Sequence, residues 1–297
     1  MCCLFGLLDT QNRLSGEDKT KVLHLLATEA EVRGTDASGV AYHAANRLVI
    51  RKAAVPGHKL KFQIPDGTPA VMGHTRMTTQ GDERFNRNNH PFRGKTRRGS
   101  FALAHNGVIW NDAELRQQFL LPETTIETDS YIAVQMIEQK RTLDFSSLKS
   151  MAELVEGSFT FTALDSDDNL YIVKGDSPLC LLRFPGTGVF VYASTYEILK
   201  DARISMKGAE NVEIESGEIV KIDRNGQMTR TRFDDYKLRQ PMWRGSGVSS
   251  CCDSRFELDE LKQTAAWMGY PPEIVERYAR RGYLPEEIKG LLYDGEI

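Results

Sequence analysis

The sequence lacks a long apolar run, a spaced set of cysteines and a strong net charge, and each absence excludes a class of protein. No apolar run approaches the roughly 18 residues of a membrane-spanning helix, and the N-terminus has no basic segment followed by an apolar stretch. A formal net charge of −3 over 297 residues gives no general attraction to nucleic acid or to a membrane surface. We therefore expect a globular protein without a signal peptide and without a membrane partner.

The cysteine pattern and the absence of a phosphate-binding motif argue against metal and nucleotide sites. Five cysteines are an odd number, and four of them form the adjacent pairs Cys2-Cys3 and Cys251-Cys252, which rarely suit an ordinary disulfide. No Cys-x-x-Cys spacing indicates zinc, and no Gly-x-x-x-x-Gly-Lys-Ser/Thr loop is present. These features favour a reduced, cytoplasmic protein with no metal and no other cofactor.

Length and composition predict one main domain followed by a small appendage. The composition changes after about residue 240, and residues 240–254, rich in Gly, Ser and Pro, are predicted to form a linker. The segment 255–297 is predicted to be a small helical appendage. In it the pattern of Gly269–Ile274 recurs at Gly282–Ile288, each copy placing Gly at a helix stop and Pro at the next helix start. The main domain is thus expected at residues 2–239.

Apolar and alternating runs predict the secondary structure of the main domain. Strands are expected at residues 2–8, 40–44, 47–52, 71–76 and 101–110 and in five short runs between 158 and 223, with helices over 17–31, 129–139 and 195–202. A polar loop rich in Asn and Arg is expected over residues 78–99, and Thr128 or Asp129 would cap the helix that follows. This mixture predicts an α+β protein in which two stacked sheets are flanked by helices.

Cys2 stands directly after Met1, and this position offers two chemical functions on one residue. Once Met1 is removed, the Cys2 thiol is a nucleophile, and the Cys2 α-amine, with an ordinary pKa of about 7.7–8.0, is a base available near neutral pH. One residue can then supply both nucleophile and base, as an N-terminal threonine does. The alternative, from position alone, is a small apolar residue that opens a buried strand.

Four polar clusters follow Cys2 along the chain: Arg33–Gly39 (RGTDASG), Gly73–Arg76 (GHTR), Ala104–Gly107 (AHNG) and Glu127–Ser130 (ETDS). In this order, after a cysteine at position 2, they resemble the class II glutamine amidotransferase domain of the N-terminal-nucleophile hydrolase superfamily, over roughly residues 2–225. The chain is similar to a stand-alone member of that family. The resemblance implies a four-layer α/β/β/α sandwich of two mainly antiparallel sheets.

The resemblance assigns catalytic roles to three residues. Cys2 would attack the γ-amide of glutamine and form a thioester, and the Asn106 side chain and the Gly107 backbone amide would stabilise the oxyanion. On the dipeptide alone, Asn106-Gly107 is also typical of a tight turn between strands. The family usually has glycine where Cys3 stands, but only position 2 can gain the free amine.

The resemblance also implies how glutamine is bound. Arg76 would bind the α-carboxylate, since a guanidinium can hold a carboxylate with two parallel hydrogen bonds, and Asp129 would bind the α-ammonium. Taken alone, Arg76 could equally form a surface ion pair and Asp129 a helix cap. Thr79 matches a position that lines the glutamine pocket, and Arg33 and Asp36 match the motif that supports the strand of the nucleophile.

The fate of the ammonia stays open in the sequence. About 57 residues follow residue 240, too few for a domain that uses a phosphosugar or ATP. Either a separate synthase subunit receives the ammonia, or water ends the reaction, as in a glutaminase or a hydrolase of γ-glutamyl amides or peptides.

A binding function of a different class would depend on the basic segment 84–98. It contains Arg84, Arg87, Arg93, Lys95, Arg97 and Arg98. These side chains could contact nucleic-acid phosphates, and the C-terminal helices could dock on a partner protein. Basic runs are more often solvated loops, and aromatic residues are sparse here, so nucleic-acid binding is the disfavoured alternative.

Overall fold

The computed structural model describes residues 2–234, 261–262, 264–266, 268–280 and 285–294 of the chain. The chain divides into two compact units, Met1–Gln240 and Pro241–Ile297. The predicted linker, residues 240–254, lies outside the described residues. Among the described residues, no helix combines the length and the apolar character that crossing a membrane requires.

Antiparallel strands form the centre of the first unit. They are β1 (Cys3–Asp9), β2 (Ala37–Ala44), β3 (Arg47–Ala53), β4 (Ala70–Arg76), β5 (Phe92–Lys95), β6 (Ser100–Ile109), β7 (Gly157–Leu164), β8 (Leu170–Lys174), β9 (Cys180–Phe184), β10 (Val189–Ala193), β11 (Glu210–Asn211), β12 (Glu218–Ile222) and β13 (Met228–Arg232). One sheet has seven strands in the order β11-β9-β10-β1-β4-β2-β3, and the other has six in the order β13-β12-β8-β7-β6-β5. The first strand of the chain therefore lies near the middle of the seven-stranded sheet.

Helices pack on the outer face of each sheet. They are α1 (Gly16–Glu29), α2 (Asp112–Gln118), α3 (Tyr131–Lys140), α4 (Phe145–Ala152) and α5 (Tyr196–Asp201). One apolar core joins α1 and α5 to the seven-stranded sheet, a second joins α2, α3 and α4 to the six-stranded sheet, and a third lies between the two sheets. Three cores separate four layers, which confirms the predicted α/β/β/α sandwich of antiparallel sheets.

The alternation of side chains along β1 explains how one strand serves two of these cores. Cys3, Phe5 and Leu7 belong to the core under the helices, whereas Leu4 and Leu8 belong to the core between the sheets. Successive side chains of a strand point to opposite faces. The two adjacent cysteines at the start of the chain are therefore directed to different layers.

Most predicted strands, and the helix predicted at 129–139, are confirmed within one or two residues, but the uninterrupted loop at 78–99 and the predicted helix cap were wrong. The expected polar loop at 78–99 contains β5, whose Phe92 and Gly94 are buried while Arg93 and Lys95 are exposed, the alternation of an edge strand that pairs with β6. The helix predicted from residue 129 begins at Tyr131, and the Asp129 side chain does not cap it. It accepts a hydrogen bond from the backbone N–H of Ile109 instead, at 2.7 Å.

The second unit is described only in part, and what is described there is helical. It includes α6 (Glu273–Arg280) and α7 (Pro285–Asp294), both within the segment predicted to be helical. A small apolar cluster of Leu261, Ala265, Val275, Ile288 and Leu292 forms its core. Such a cluster is what short amphipathic helices need in order to pack together.

Candidate active site

Two of the predicted site residues lie on strand faces that meet between the two sheets. On β4, Ala70 and Met72 belong to the inter-sheet core, and Arg76 follows them with the same two-residue period. On β6, Ala102 and Ala104 occupy that core, and Asn106 is next in the same alternation. Period two therefore directs both polar side chains toward the space between the sheets, at the strand ends where the apolar core stops.

Strand register brings Cys2 to the same place. In the antiparallel β1–β4 pair Cys3 lies opposite Thr75. One residue further along this register, Cys2 therefore lies beside Arg76 at the end of the ladder. The Nε of Arg33 donates to the Cys2 carbonyl oxygen at 2.9 Å. Arg33 thus contacts the residue directly before β1, and its role in supporting the strand of the nucleophile stays a prediction.

The surroundings of Cys2 favour the protonated form of its thiol. Its Sγ donates to the Met77 carbonyl oxygen at 3.5 Å, within the longer range of sulfur donors. Burial raises the pKa of the Cys2 thiol; the bond to Met77 and the charge of Arg76 act in the opposite direction, and the charge of Asp129 adds to the rise. A thiol held neutral in this way needs a base before it can act as a nucleophile.

The Arg76 guanidinium is buried and held from several sides. Its side chain is 3% exposed, its Nη1 donates to Asn89 Oδ1 at 2.7 Å, and its Nη2 donates to the carbonyl oxygens of Gln80 and Gly81. The Arg76 backbone carbonyl accepts from the Asp36 N–H at 3.0 Å. These bonds fix both ends of the residue, which is the support that a precise anion-binding group requires.

Asp36 and Thr79 differ in how firmly the structure ties them to this region. The Asp36 carboxylate accepts from the Thr78 N–H at 2.6 Å, so it fixes the chain just after Arg76. Thr79 is exposed on the same loop, and in the part of the chain that the structure describes it makes no hydrogen bond. The loop does bring in Gln80, whose Oε1 accepts from the Asp129 N–H at 3.2 Å, a contact that the sequence did not indicate.

Asp129 is a buried carboxylate joined to the end of β6. It is 4% exposed, its Oδ2 accepts from the Ile109 N–H at 2.7 Å, and its Oδ1 accepts from the Ser130 hydroxyl at 3.2 Å. Because Ser130 donates to Asp129, the 2.8 Å contact between Ser130 Oγ and His105 Nδ1 requires the histidine to be the donor. Hydrogen bonds from His105 to Ser130 and from Ser130 to Asp129 therefore orient the Asp129 carboxylate.

Asn106 and Gly107 lie within β6 and not in a two-residue turn. Gly107 has φ +139°, and a Cβ there would lie 1.8 Å from the Ser158 carbonyl oxygen on β7, so only glycine fits. Asn106 is buried, and its Nδ2 lies 3.5 Å from Ser194 Oγ, which in turn accepts from the Leu4 N–H at 2.9 Å. Ser194, directly after β10, thus links the Asn106 side chain to the strand that begins next to Cys2.

The histidines of two sequence motifs, His74 and His105, form hydrogen bonds within the fold. His74 Nε2 donates to the His105 carbonyl oxygen at 2.9 Å, and the His74 ring lies against His90 with centroids 4.2 Å apart. Burial lowers the pKa of His74 to about 3 and lowers that of His105 as well. Within the described residues no cluster of His, Cys, Asp and Glu has the arrangement of a metal site.

The basic segment that suggested nucleic-acid binding is partly neutralised by the chain itself. Ion pairs join Arg84 to Asp82, Arg87 to Glu127 and Arg98 to Asp167. Arg93 donates to the Leu48 carbonyl oxygen at 2.7 Å. These contacts reduce the charge that this surface could offer to a polyanion.

Comparison with known sequences identifies the same region. A sequence profile described as the glutamine amidotransferase domain matches residues 74–201. The glutamine–fructose-6-phosphate aminotransferase (isomerizing) of Lactococcus lactis subsp. lactis (strain IL1403) is 31% identical over 191 residues, which cover 61% of this chain and 30% of that protein. The protein of that name from Streptococcus pyogenes serotype M3 (strain MGAS315) is 28% identical over 247 residues, covering 80% and 38%. The chain thus spans about a third of the length of these relatives.

Comparison with solved structures supports the fold. The glutamine phosphoribosylpyrophosphate amidotransferase from B. subtilis, complexed with ADP and GMP, superposes with a TM-score of 0.63 at 20% identity, over 78% of this chain and 49% of that one. A structure described as the allosteric regulatory enzyme of purine biosynthesis gives a TM-score of 0.62 at 21% identity. Together with the sequence matches, these similarities show that residues 74–201 belong to a glutamine amidotransferase domain and that the chain, with its two antiparallel sheets, has the fold of the two matched structures.

Proposed function

We propose that this protein releases ammonia from the γ-amide of glutamine, with Cys2 as the nucleophile and residues 2–239 as the glutaminase domain. The observation that supports this most is the position of Cys2 beside Arg76 at the end of the β1–β4 ladder, with Asn106 linked through Ser194 to Leu4 of the same strand β1. A nucleophile, a cation and an amide donor in one buried place are the groups that hydrolysis of an amino-acid amide requires.

The proposed base is the α-amine of Cys2, freed when Met1 is removed. Because burial raises the pKa of the Cys2 thiol, the sulfur would carry its proton at neutral pH and would have to lose it during attack. The α-amine belongs to the same residue, and its ordinary pKa of about 7.7–8.0 suits a base at that pH. His74 and His105 already bond to the other sheet and to Ser130.

The proposed reaction has two balanced halves. The Cys2 sulfur forms a bond to the γ-carbonyl carbon, the thiol proton passes through the α-amine to the leaving nitrogen, and the C–N bond breaks to give ammonia and a thioester. Water then adds to the thioester, and glutamate leaves as the thiol is restored. Asn106 Nδ2 and the Gly107 N–H would stabilise the oxyanion in both halves, a contribution that typically exceeds tenfold per donor.

Substrate recognition would use the two buried charges beside Cys2. We assign the glutamine α-carboxylate to Arg76, which gives three N–H groups to described protein acceptors and has two of its five left for a ligand. We assign the α-ammonium to Asp129, whose oxygens each accept one described bond and retain further lone pairs. Thr79, exposed on the loop after β4, would contact glutamine when the loop closes.

The proposed acceptor of the ammonia is a synthase domain or subunit outside residues 2–239. The curated relatives carry the matched region within much longer chains. We place the reaction in the cytoplasm, because a free nucleophilic thiol persists in a reducing compartment. Ammonia release at the same rate with and without a cell extract as the source of an acceptor would instead favour a hydrolase that uses only water.

The direct test is covalent labelling of Cys2. The protein is produced with a cleavable N-terminal extension and treated with a diazo-ketone analogue of glutamine before and after cleavage exposes Cys2. We expect one adduct, mapped to Cys2 by peptide mass, only after cleavage, together with ammonia release from glutamine. No adduct at Cys2 on the cleaved protein would refute the proposed nucleophile.

A further inference from the structure

Two consecutive buried asparagines, Asn88 and Asn89, hold the two charges that we have assigned to glutamine. We infer that they are a pair of positioning residues: Asn89 aligns Arg76 for the α-carboxylate, and Asn88 fixes the chain segment that presents Asp129 to the α-ammonium. The inference rests on the proposed function, and it concerns residues that touch the binding groups and not the substrate. Both side chains are fully buried, at 0% exposure.

Asn89 bridges Arg76 to the loop that follows β4. Its Oδ1 accepts from Arg76 Nη1 at 2.7 Å, and its Nδ2 donates to the Glu83 carbonyl oxygen at 2.7 Å. An amide can do both because it carries an acceptor and a donor on the same carbon. Being neutral, it orients the guanidinium without competing with a carboxylate for the positive charge.

Asn88 makes the equivalent connection to the segment before Asp129. Its Oδ1 accepts from the Glu127 N–H at 3.0 Å, and its Nδ2 donates to the Glu127 carboxylate at 2.8 Å and to the Asp82 carbonyl oxygen at 3.0 Å. Glu127 is two residues before Asp129. The Asn88 amide therefore fixes the distance between the loop and the residue that carries the second charge.

The two amides and Arg76 together occupy four successive carbonyl oxygens of the loop. Arg76 takes Gln80 and Gly81, Asn88 takes Asp82, and Asn89 takes Glu83. Backbone carbonyls without a partner are costly when they are removed from water. Displacement of Asn89 would therefore release one bond to Arg76 and the Glu83 carbonyl, and displacement of Asn88 would release the Asp82 carbonyl and Glu127.

Lys52 on β3 holds the asparagine pair in place from behind. Its Nζ donates to the carbonyl oxygens of Asn89 and Pro91, at 2.5 and 3.1 Å. These bonds fix the backbone of Asn89, so its side chain meets Arg76 from a constant position. A supporting shell of this kind is what keeps a binding group within the small tolerance that recognition requires.

The substitution Asn89→Asp is the sharpest change, because it preserves shape. One carboxylate oxygen would still accept from Arg76, but with a full negative charge that competes with the glutamine carboxylate. The other oxygen would replace the donor to Glu83 and face its carbonyl oxygen. The substitution Asn88→Asp similarly sets two carboxylates, its own and that of Glu127, against each other. Asn225→Asp is the matched control, because it makes the same change at an exposed asparagine in the turn between β12 and β13.

The test compares two reagents that label Cys2. The diazo-ketone analogue of glutamine needs the α-carboxylate and α-ammonium to be recognised, whereas iodoacetamide needs only an accessible thiol. For Asn89→Asp and for Asn88→Asp we expect the analogue to label Cys2 about tenfold more slowly, with the iodoacetamide rate within about twofold of the native rate. The KM for glutamine should rise by a similar factor while kcat changes little, and Asn225→Asp should alter none of these values.

Several outcomes would overturn the inference while leaving the proposed function intact. One is an unchanged analogue rate in both variants; another is an equal fall in both reagents' rates, which would indicate a general structural role. Where Asn89→Asp does not fold, as judged by its melting curve, Asn89→Ala replaces it with the same expected split between the reagents. Failure of the analogue to label the native protein would instead contradict the proposed function itself.

Discussion

His74 on β4 and His105 on β6 are joined across the two sheets, with His74 Nε2 donating to the His105 carbonyl oxygen at 2.9 Å. The bond lies beside the candidate site, because Arg76 and Asn106 follow these histidines two and one residues later. It is one of the polar contacts in an interface that is otherwise largely apolar. We infer that this hydrogen bond fixes the distance between the two sheets at the candidate site.

The buried His74 side chain predicts that the stability of the protein depends on pH. Burial lowers the pKa of His74 to about 3, with the charge of Arg76 acting in the same direction, while in the unfolded chain a histidine titrates near 6.5. As the pH falls below about 6.5 the unfolded state binds a proton that the folded state does not, so this residue reduces stability by about 1.4 kcal/mol per pH unit at pH 5. His74→Gln can keep a donor for His105 but does not titrate. Urea unfolding from pH 7 to pH 4 should give a shallower loss for the variant; an unchanged slope would contradict the prediction.

The adjacent cysteines should separate cleanly in function. Burial raises the pKa of Cys3 to about 11, and its side chain lies in the core under the helices, so at neutral pH it is an inert thiol. We expect Cys2→Ala to abolish ammonia release and Cys3→Ala to retain most of it. The assay is glutamate and ammonia production by protein with Cys2 exposed at the N-terminus. Equal loss in both variants would mean that Cys2 is not the acting thiol.

Substitutions at Asn106 and at Gly107 should have different effects, the first on catalysis alone and the second on both folding and activity. Asn106→Ala removes a proposed oxyanion donor whose described bond is a long one, to Ser194; we expect kcat to fall about 10²- to 10³-fold with little change in melting temperature. Gly107→Ala forces a Cβ to within 1.8 Å of the Ser158 carbonyl oxygen, so activity and folding should both fail.

Gly186→Ala is the control for the Gly107 substitution. A Cβ at Gly186 meets nothing within 4 Å, and the added side chain should leave melting temperature and activity unchanged. If Gly107→Ala proved as stable as Gly186→Ala, the close approach of β6 to β7 would not be the constraint that we describe.

A buried ion pair at the far end of β1 predicts a large effect on stability. Lys19 Nζ lies 3.0 Å from Asp9 Oδ2, and both side chains have zero exposure. Asp9→Asn strands the Lys19 charge in the core and should cost about 3–5 kcal/mol, part of which a second substitution, Lys19→Met, should restore. The exposed pair Lys21–Glu17 serves as a control, since Lys21→Met should have no measurable effect. A double variant no more stable than Asp9→Asn would contradict this account.

The sequence predicted the elements whose side chains carry their own pattern. These are the apolar run at the start of the chain, the hairpin of β2 and β3, and the short strands β7, β8, β9, β10 and β12, most of which are largely buried. The sequence did not predict β5. This segment has only four residues, two of them the basic Arg93 and Lys95, and it forms a strand because it pairs with β6. It also missed α4, whose start is marked by a capping box between Asp144 and Ser147.

The site was predictable to the extent that its residues form short motifs. Cys2, Arg76, Asn106 and Asp129 were chosen from such motifs, and the structure brings their strands and loops together. Apart from Arg33 and Asp36, the supporting residues were not predicted, because their partners are distant in sequence: Ser194 accepts a bond from Leu4, 190 residues away. No local pattern marks such a residue, since its role exists only once the sheets have stacked.

The central place of β1 in its sheet has a consequence during synthesis. The strand pairs with β4 on one side and with β10 on the other, where Phe5 lies opposite Ala193. At a ribosomal rate of about 5–20 residues per second, β10 emerges roughly 10–40 seconds after β1. During that interval the first strand has an open edge on the side that β10 later covers. The order of the strands thus delays the pairing of β1 with both of its neighbours until β10 has been made.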